Sequence, residues 1–580
     1  MNHEINRKRA QESRAAIEKL YITMRHLFNR GSYKPFGVSG QALRDALLTL
    51  SPEIYGSMKD EERVEMDGLL YVIDRLPKGI EECRYIRMIS KEGLGDSNFP
   101  VIIPPKRRRN CYRIDEEQMF IELTRGRSDI YDILTHLTFL YIESAKILRH
   151  SLDPKGKIRR EWQKLEEIVQ KEANGEEFNQ EIAYTYLSNI LGRTFEETAI
   201  ACKKFTKANN NSLFHITYWL GRVAIEEFLE KKDREISFSA MLRDRIGHHI
   251  YGEGWANEIK LYLKEHDLLS RPVHIISANM HSVMNSLYGR AATKSSVEDP
   301  SVYALAERLS DPANASLREK VITFAARNGM KQLDDFQVTN ISAQIIRTEL
   351  LDFDCLPVEL HPDKKGLLEA KPVLIVIDYP FGEQGFELMD ELLKPLDEQQ
   401  EQALDVRSIS IMGKAGILAG KKGDIMIPNA HVFEGTADNY PFENDLKRED
   451  FEGHGLSVYD NGPMITVLGT SLQNQDVLLY FLRSSWRAIG LEMEGAHLQK
   501  AIQSAARIRS SISENVVLRY AYYASDNPLL TGHTLASGSL GKEGIRPTYL
   551  ITLNILDKIF AMHKHKEADN EKQPTEFVSK

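Results

Sequence analysis

Two hydrophobic periodicities divide this chain. From about residue 5 to 265, apolar residues recur at three- and four-residue steps, the spacing of a buried helix face. Ile17, Tyr21, Met24 and Phe28 form the first such stripe, and Gly31 follows where a helix C-cap is expected. A long apolar-rich helix is expected over about 116–150, a charged one over 159–172 and further helices over 180–232. No fixed-period repeat runs through them, which argues against a solenoid. The pattern changes after Arg271-Pro272. Val273-His274-Ile275-Ile276-Ser277 reads as a strand that enters a turn at Ala278-Asn279-Met280-His281. Val373-Leu374-Ile375-Val376-Ile377 is apolar at every position, as in a parallel strand buried on both faces. The run from Val516 to Tyr523 reads as another buried strand. Residues 290–335 read as a helical insert, and 336–350 fit strand and helix equally. These patterns predict a mostly α-helical N-terminal domain over 1–269, an α/β domain over 270–562 and a disordered charged tail over 563–580.

Composition narrows the class. A length of 580 residues suits two to four domains. The net charge of −9, from 75 basic and 84 acidic side chains, argues for a soluble protein and against general nucleic-acid affinity. Cys83, Cys111, Cys202 and Cys355 are scattered without a CxxC pair, as buried thiols in a reducing compartment would be. No apolar run is long enough for a bilayer, and residues 1–7 lack a signal-peptide core, so a cytoplasmic location and no membrane partner are expected.

Candidate chemistry lies mainly in the second half. Gly490-Leu491-Glu492-Met493-Glu494-Gly495-Ala496-His497 sets two carboxylates at a helix start. Tyr523-Ala524-Ser525-Asp526-Asn527 sets a Ser-Asp pair at the end of a strand. Ligands of open α/β sheets bind beyond the carboxyl ends of the strands, so both pairs are expected to face one pocket. Each has a plainer role: Glu492 and Glu494 would complement a helix dipole, and Asp526 would cap a turn before Pro528. Gly382 and Gly385 lie in a loop between strand and helix, a geometry that offers N–H groups to an anion. The loop from His431 to Phe442 offers Glu434, Asp438 and Tyr440 as contacts and an aromatic such as Phe433 to stack on a base. Pro104-Pro105-Lys106-Arg107-Arg108-Arg109 fits a phosphate contact, but a short run in an acidic chain fits a solvated loop or salt-bridge patch better. His248 and His249 point to different helix faces, so no metal site is expected there.

Three pieces then occur in a telling order: Ile409-Ser410-Ile411-Met412-Gly413-Lys414-Ala415-Gly416 with Gly423-Asp424-Ile425-Met426-Ile427-Pro428 behind it, Met493-Glu494, and Ser525-Asp526. Together they resemble the nucleoside phosphorylase superfamily, which includes purine nucleoside phosphorylases, methylthioadenosine/adenosylhomocysteine nucleosidases and AMP nucleosidases. The resemblance covers about 270–560 and is silent on what precedes it. It implies a mixed sheet flanked by helices and a homo-oligomer. It also implies that Met493 packs on the ribose, that Glu494, beside Glu492, accepts the 2′- and 3′-hydroxyls, and that Asp526, oriented by Ser525, is the general acid at purine N7. Gly382 and Gly413 then fall in loops around the ligand, and Thr470 in a loop over the nucleoside. Lys414, Arg407 and Arg546 are the cations for a 5′-phosphate or inorganic phosphate. One departure matters: family hydrolases carry a water-activating carboxylate in the turn after the first strand, and 278–281 holds none. Glu383 and His281 are the substitutes. The expected activity is hydrolysis of the N-glycosidic bond of a purine nucleoside or nucleotide, with AMP nucleosidase nearest in layout. A phosphate-dependent phosphorylase comes second, and a non-catalytic nucleotide sensor or scaffold third. No cofactor and no metal are expected.

Overall fold

The computed structural model describes residues 2–565 except 97, 108, 208–210, 294–300, 336, 338, 397–401, 437 and 532–540. Arg108 and most of the expected tail, 566–580, lie outside the described residues.

Helices dominate the N-terminal part, as the periodicity predicts. The Asn2–Arg30 helix buries Ile17, Leu20, Met24, Leu27 and Phe28. It ends at Gly31, whose φ of +98° lets its N–H reach the Leu27 carbonyl at 3.1 Å. The Gly126–Ser151 helix runs through the middle, buried on nearly all sides and packed against Leu213–Glu230.

A six-stranded sheet, which the helical pattern does not predict, accompanies these helices. Its order is Ser32–Tyr33, Glu235–Phe238, Tyr85–Ile89, Gln118–Glu122, Cys111–Arg113, Val101–Ile102. The apolar run predicts a helix from about 116, but Gln118–Glu122 is a strand and the helix starts at Gly126. Strands of two to five residues are too short for a period-two alternation to stand out.

The C-terminal half is a mixed sheet flanked by helices. Val373–Ile377, Pro272–Ser277, Asp405–Ile417 and Val517–Asp526 lie side by side, all parallel. Ala343–Arg347 and Met330–Leu333 extend one side antiparallel, which resolves the ambiguous 336–350 stretch as strand at its centre. Gly490–Glu492 pairs antiparallel with the last two residues of Asp405–Ile417, and Pro463–Thr466 and Ala430–Phe433 follow. Asn439–Pro441 then folds back on Ala430–Phe433, so the segment expected as a loop is largely a hairpin.

Burial explains the all-apolar strands. Val373, Ile375 and Ile377 share one core with Trp255, Leu388 and Leu498. Leu374 and Val376 share another with Val283 and Leu550. Alternate side chains therefore meet helices on opposite faces.

The apolar core also crosses between the halves. Ile17 and Leu20 belong to one cluster with Phe433, Leu468 and Val477. Asn474 caps the Gln475–Arg483 helix and donates to Ser13 Oγ at 2.9 Å and the Leu50 carbonyl at 2.8 Å. The Ile250–Glu265 helix packs on the C-terminal sheet, with Trp255 Nε1 donating to the Ile341 carbonyl at 3.0 Å. No helix among the described residues is long and apolar enough to cross a membrane.

Candidate active site between the two halves

The parallel strands end at a cavity of about 350 Å³. Ser277, Phe381, Gly413, Lys414, Glu494 and Ser525 line it from the C-terminal half. Tyr71, Arg75, Arg107 and Arg125 line it from the N-terminal half. This is the crevice beyond the strand ends that the sheet topology dictates, closed over by the first domain.

The two glutamates have different work. Glu492 ends its strand fully buried. Its carboxylate accepts the N–H of Glu494 at 2.5 Å, that of Gly495, and the Thr466 hydroxyl. It thus holds the first N–H groups of the Gly495–Gln503 helix, the dipole-complementing role. Glu494 turns the other way, accepting the N–H of Gly382 at 3.0 Å and that of Met493 at 3.3 Å. Burial raises the proton affinity of both carboxyls, and the Glu492 charge raises Glu494 further, against the pull of the Gly382 and Met493 N–H groups and Lys414. Gly382 has φ +57°, and a Cβ there would run into Ser128 of the Gly126–Ser151 helix. Only glycine lets this loop touch both Glu494 and the first domain.

On the neighbouring strand, Ser525 Oγ donates to Asp526 Oδ1 at 2.5 Å and lies 3.2 Å from the Ala415 carbonyl. The strand pairing slips by one residue between Ala415 and Gly416, opposite Asp526. A bulge of this kind re-aims the side chains that follow it. Ser525 lines the cavity; Asp526 is not among the lining residues and is tied to it through the Ser525 hydroxyl. Gly413, Lys414, Thr470 and Met493 also line it.

The remaining candidates lie elsewhere. Glu383 is not among the lining residues; its carboxylate meets Arg127 Nη1 at 2.8 Å and its N–H meets Ser128 Oγ at 2.9 Å. It anchors the glycine loop to the first domain instead of facing a water molecule. His281 lines a second, larger cavity of about 1040 Å³, which shares Lys414 with the first. Phe433 is a core residue, edge-on to Tyr21 at 5.8 Å and to His497 at 5.0 Å. Of the 431–442 contacts, Glu434 is buried against Gln473, with Nε2 to Oε2 at 3.2 Å, and Asp438 accepts from Thr436 at 2.6 Å. Arg407 lies near the start of its strand, exposed and paired with Asp405 at 2.8 Å, whereas the cavity meets residues 411–416 of that strand. At about 3.3 Å per residue, that separation is more than 13 Å. Arg546 is exposed on the first turn of the Ile545–Ala561 helix and lines neither cavity.

The four N-terminal lining residues have no counterpart in the sequence reading of the second half. One signal was present: the basic run at 104–109. Arg107 forms a two-point ion pair with Asp132, at 2.9 and 3.2 Å. Arg109 is buried against Asp129 at 2.7 Å and Asp132 at 2.6 Å. The run is a salt-bridge patch, as the plainer reading has it, and one of its members also borders the cavity. Tyr71 and Arg75 carry no motif; only folding brings them there.

The chain belongs to a family of unknown function, DUF6909, whose model matches residues 41–298 and 289–561. No curated protein matches the sequence. Among solved structures, it is similar to the 5′-methylthioadenosine/S-adenosyl homocysteine nucleosidase of Campylobacter jejuni, at 10% identity and a TM-score of 0.31, over 50% of this chain and 100% of that one. A futalosine hydrolase mutant of Helicobacter pylori matches at 10% identity and 0.29, over 50% and 99%. A uridine phosphorylase of Schistosoma mansoni with thymidine matches at 12% identity and 0.30, over 50% and 87%.

Proposed function

We propose that the chain hydrolyses the N-glycosidic bond of a purine nucleoside or nucleotide. The observation that carries this reading is the convergence of Met493-Glu494 and Ser525, from separate elements, on one cavity at the strand ends, with Asp526 hydrogen-bonded to Ser525. In this reading Glu494 takes the ribose hydroxyls and Met493 packs on the sugar. Asp526 gives a proton to purine N7 as the C1′–N9 bond breaks, so its electron pair leaves with the base. Water adds to C1′ and passes its proton to a base, leaving free purine and the sugar. His281, from the neighbouring cavity that shares Lys414, is the candidate for that base. The pairing of Glu383 with Arg127 removes a charge that would have opposed phosphate, and this favours a phosphorylase as the second reading.

The test is release of free base from a panel of purine nucleosides and nucleotides, with and without phosphate, by the wild type, Asp526→Asn and Glu494→Gln. Phosphate-independent release, lost by about 100-fold or more in Asp526→Asn, is expected. Release that requires phosphate makes the chain a phosphorylase. No release from any substrate by folded protein contradicts both.

A further inference from the structure

We propose that the cavity receives a phosphate group clasped by Arg75, Arg107 and Arg125, so that the N-terminal half supplies part of the binding site. This rests on the nucleoside reading and adds the class of ligand: a phosphorylated nucleoside, or a nucleoside together with free phosphate.

Three guanidiniums from three separate segments line one wall of this cavity. Arg75 follows the Met66–Ile73 helix, Arg107 lies in the proline-rich loop, and Arg125 precedes the Gly126–Ser151 helix. Beneath them Asp129 and Asp132 are buried and shared. Asp132 meets Arg107 and Arg109, and Asp129 meets Arg109 and, at 3.2 Å, Arg125. Four guanidiniums thus face Asp129 and Asp132, with the Asp74 carboxyl acting on Arg75 as well, so the cations still outnumber the carboxylates. His136 lies beside Asp132 at 3.4 Å, and burial lowers its pKa against the pull of Asp132.

Arg75 has no carboxylate within ion-pair distance among the described residues. It lies over the Tyr71 ring at 3.5 Å and gives one hydrogen bond, to the Tyr71 carbonyl at 2.8 Å. Its Nε is buried without an acceptor. Burial weakens its hold on its proton, Tyr71, Asp132 and Asp74 oppose that and Arg107 adds to it, leaving a net lowering that a bound anion would offset. Arg125 lies 5.2 Å from the centre of the Phe381 ring, one residue from the Gly382 that holds Glu494. Anion clasp and sugar-binding carboxyl therefore border the same space. Uncompensated guanidinium charge in a partly buried wall calls for an anion, and the planar guanidinium fork matches phosphate oxygens two at a time. On the facing wall, the raised proton affinities of Glu492 and Glu494 reduce the negative charge that phosphate would meet.

The test is calorimetric titration of the full chain with AMP, adenosine, inorganic phosphate, and adenosine in the presence of phosphate, with base release followed in parallel. If the ligand carries the phosphate, AMP binds at least about tenfold tighter than adenosine. That ratio falls towards one in Arg75→Gln and Arg125→Gln and is partly kept in Arg75→Lys. If the phosphate is free, AMP has no such advantage, inorganic phosphate tightens adenosine binding, and the same variants lose that gain. Either result supports the clasp and assigns its source. Equal binding of AMP and adenosine with no effect of phosphate overturns it, as do unchanged ratios in folded arginine variants. If no purine ligand binds, the nucleoside reading fails on its own. Inorganic phosphate alone then decides the clasp: binding lost in Arg75→Gln keeps it, and no binding ends it.

Discussion

Asp129 and Asp132 behind the N-terminal wall of the cavity, and Glu492 and Glu494 on its C-terminal side, are carboxyls largely withdrawn from solvent, yet their proton affinities are shifted in opposite directions; Glu434, away from the cavity, shifts the same way as the two glutamates. Burial pushes Asp132 up, but Arg107, His136 and Arg109 outweigh it and hold the group well below the usual carboxylate range. Arg109 and Arg125 also lower Asp129 against its burial. Glu434 is opposed only by the Gln473 amide, the Leu468 N–H and a weak pull from Arg14, and burial takes it to about 7. One wall is a fixed charge lattice; the other is a set of protonatable hydrogen-bonding groups. A ligand with an anionic end and a hydroxyl-bearing end fits between them.

The largest effect should come from breaking the lattice. Asp129→Ala leaves buried guanidinium charge uncompensated and should cost about 3–5 kcal/mol in urea unfolding. A loss under about 1 kcal/mol would mean the aspartates do not hold the wall.

Protonation separates the two sides next. The folded-state pKa of Glu434 is raised, so the folded chain binds more protons than the unfolded one and stability falls as pH rises from about 4.5 to about 7. Asp129 and Asp132 act in reverse: their contribution is present above about pH 4 and is lost as pH falls below it. Glu434→Gln should therefore gain stability over the wild type on going from pH 5 to pH 8, by roughly 2–3 kcal/mol. A pH-independent difference in Tm would refute that assignment.

Gly382→Ala tests the joint between the walls. The left-handed backbone and the contact with Ser128 should make it cost about 1–2 kcal/mol. Because the Gly382 N–H holds Glu494, ligand affinity should fall by more than stability does. Equal losses would make the loop merely structural.

Arg407→Ala should do least, under about 0.5 kcal/mol with ligand binding unchanged, since an exposed pair with Asp405 contributes little. A loss of nucleotide affinity there would relocate the phosphate.

What was legible in the sequence follows the same division. Val373–Ile377 announced itself because all five residues are apolar, and Glu494 and Ser525 stood out because each belongs to a local motif at a strand end. Residue type alone could not separate Glu492 from Glu494; the direction of each side chain did, one towards the helix N–H groups and one towards Gly382. Glu383 reads as a water-activating carboxylate until Arg127, 256 positions away, is brought against it. Arg407 and Arg546 were chosen for their charge, which says nothing about the end of an element on which they stand. Arg75 and Arg125 were invisible because their meaning depends on contacts between distant segments, and the short N-terminal strands because two to five residues carry too little periodicity.

The central claim is that sugar and phosphate lie between these two walls. The most direct measurement is a crystal structure of the full chain with Asp526→Asn, soaked with AMP at a concentration that saturates binding in solution. The account predicts the base against Ser525 and Asn at 526, the ribose hydroxyls on Glu494, and the phosphate on Arg75 and Arg125. Nucleotide bound instead in the second cavity beside His281, or an empty interdomain cavity under saturating ligand, would contradict it.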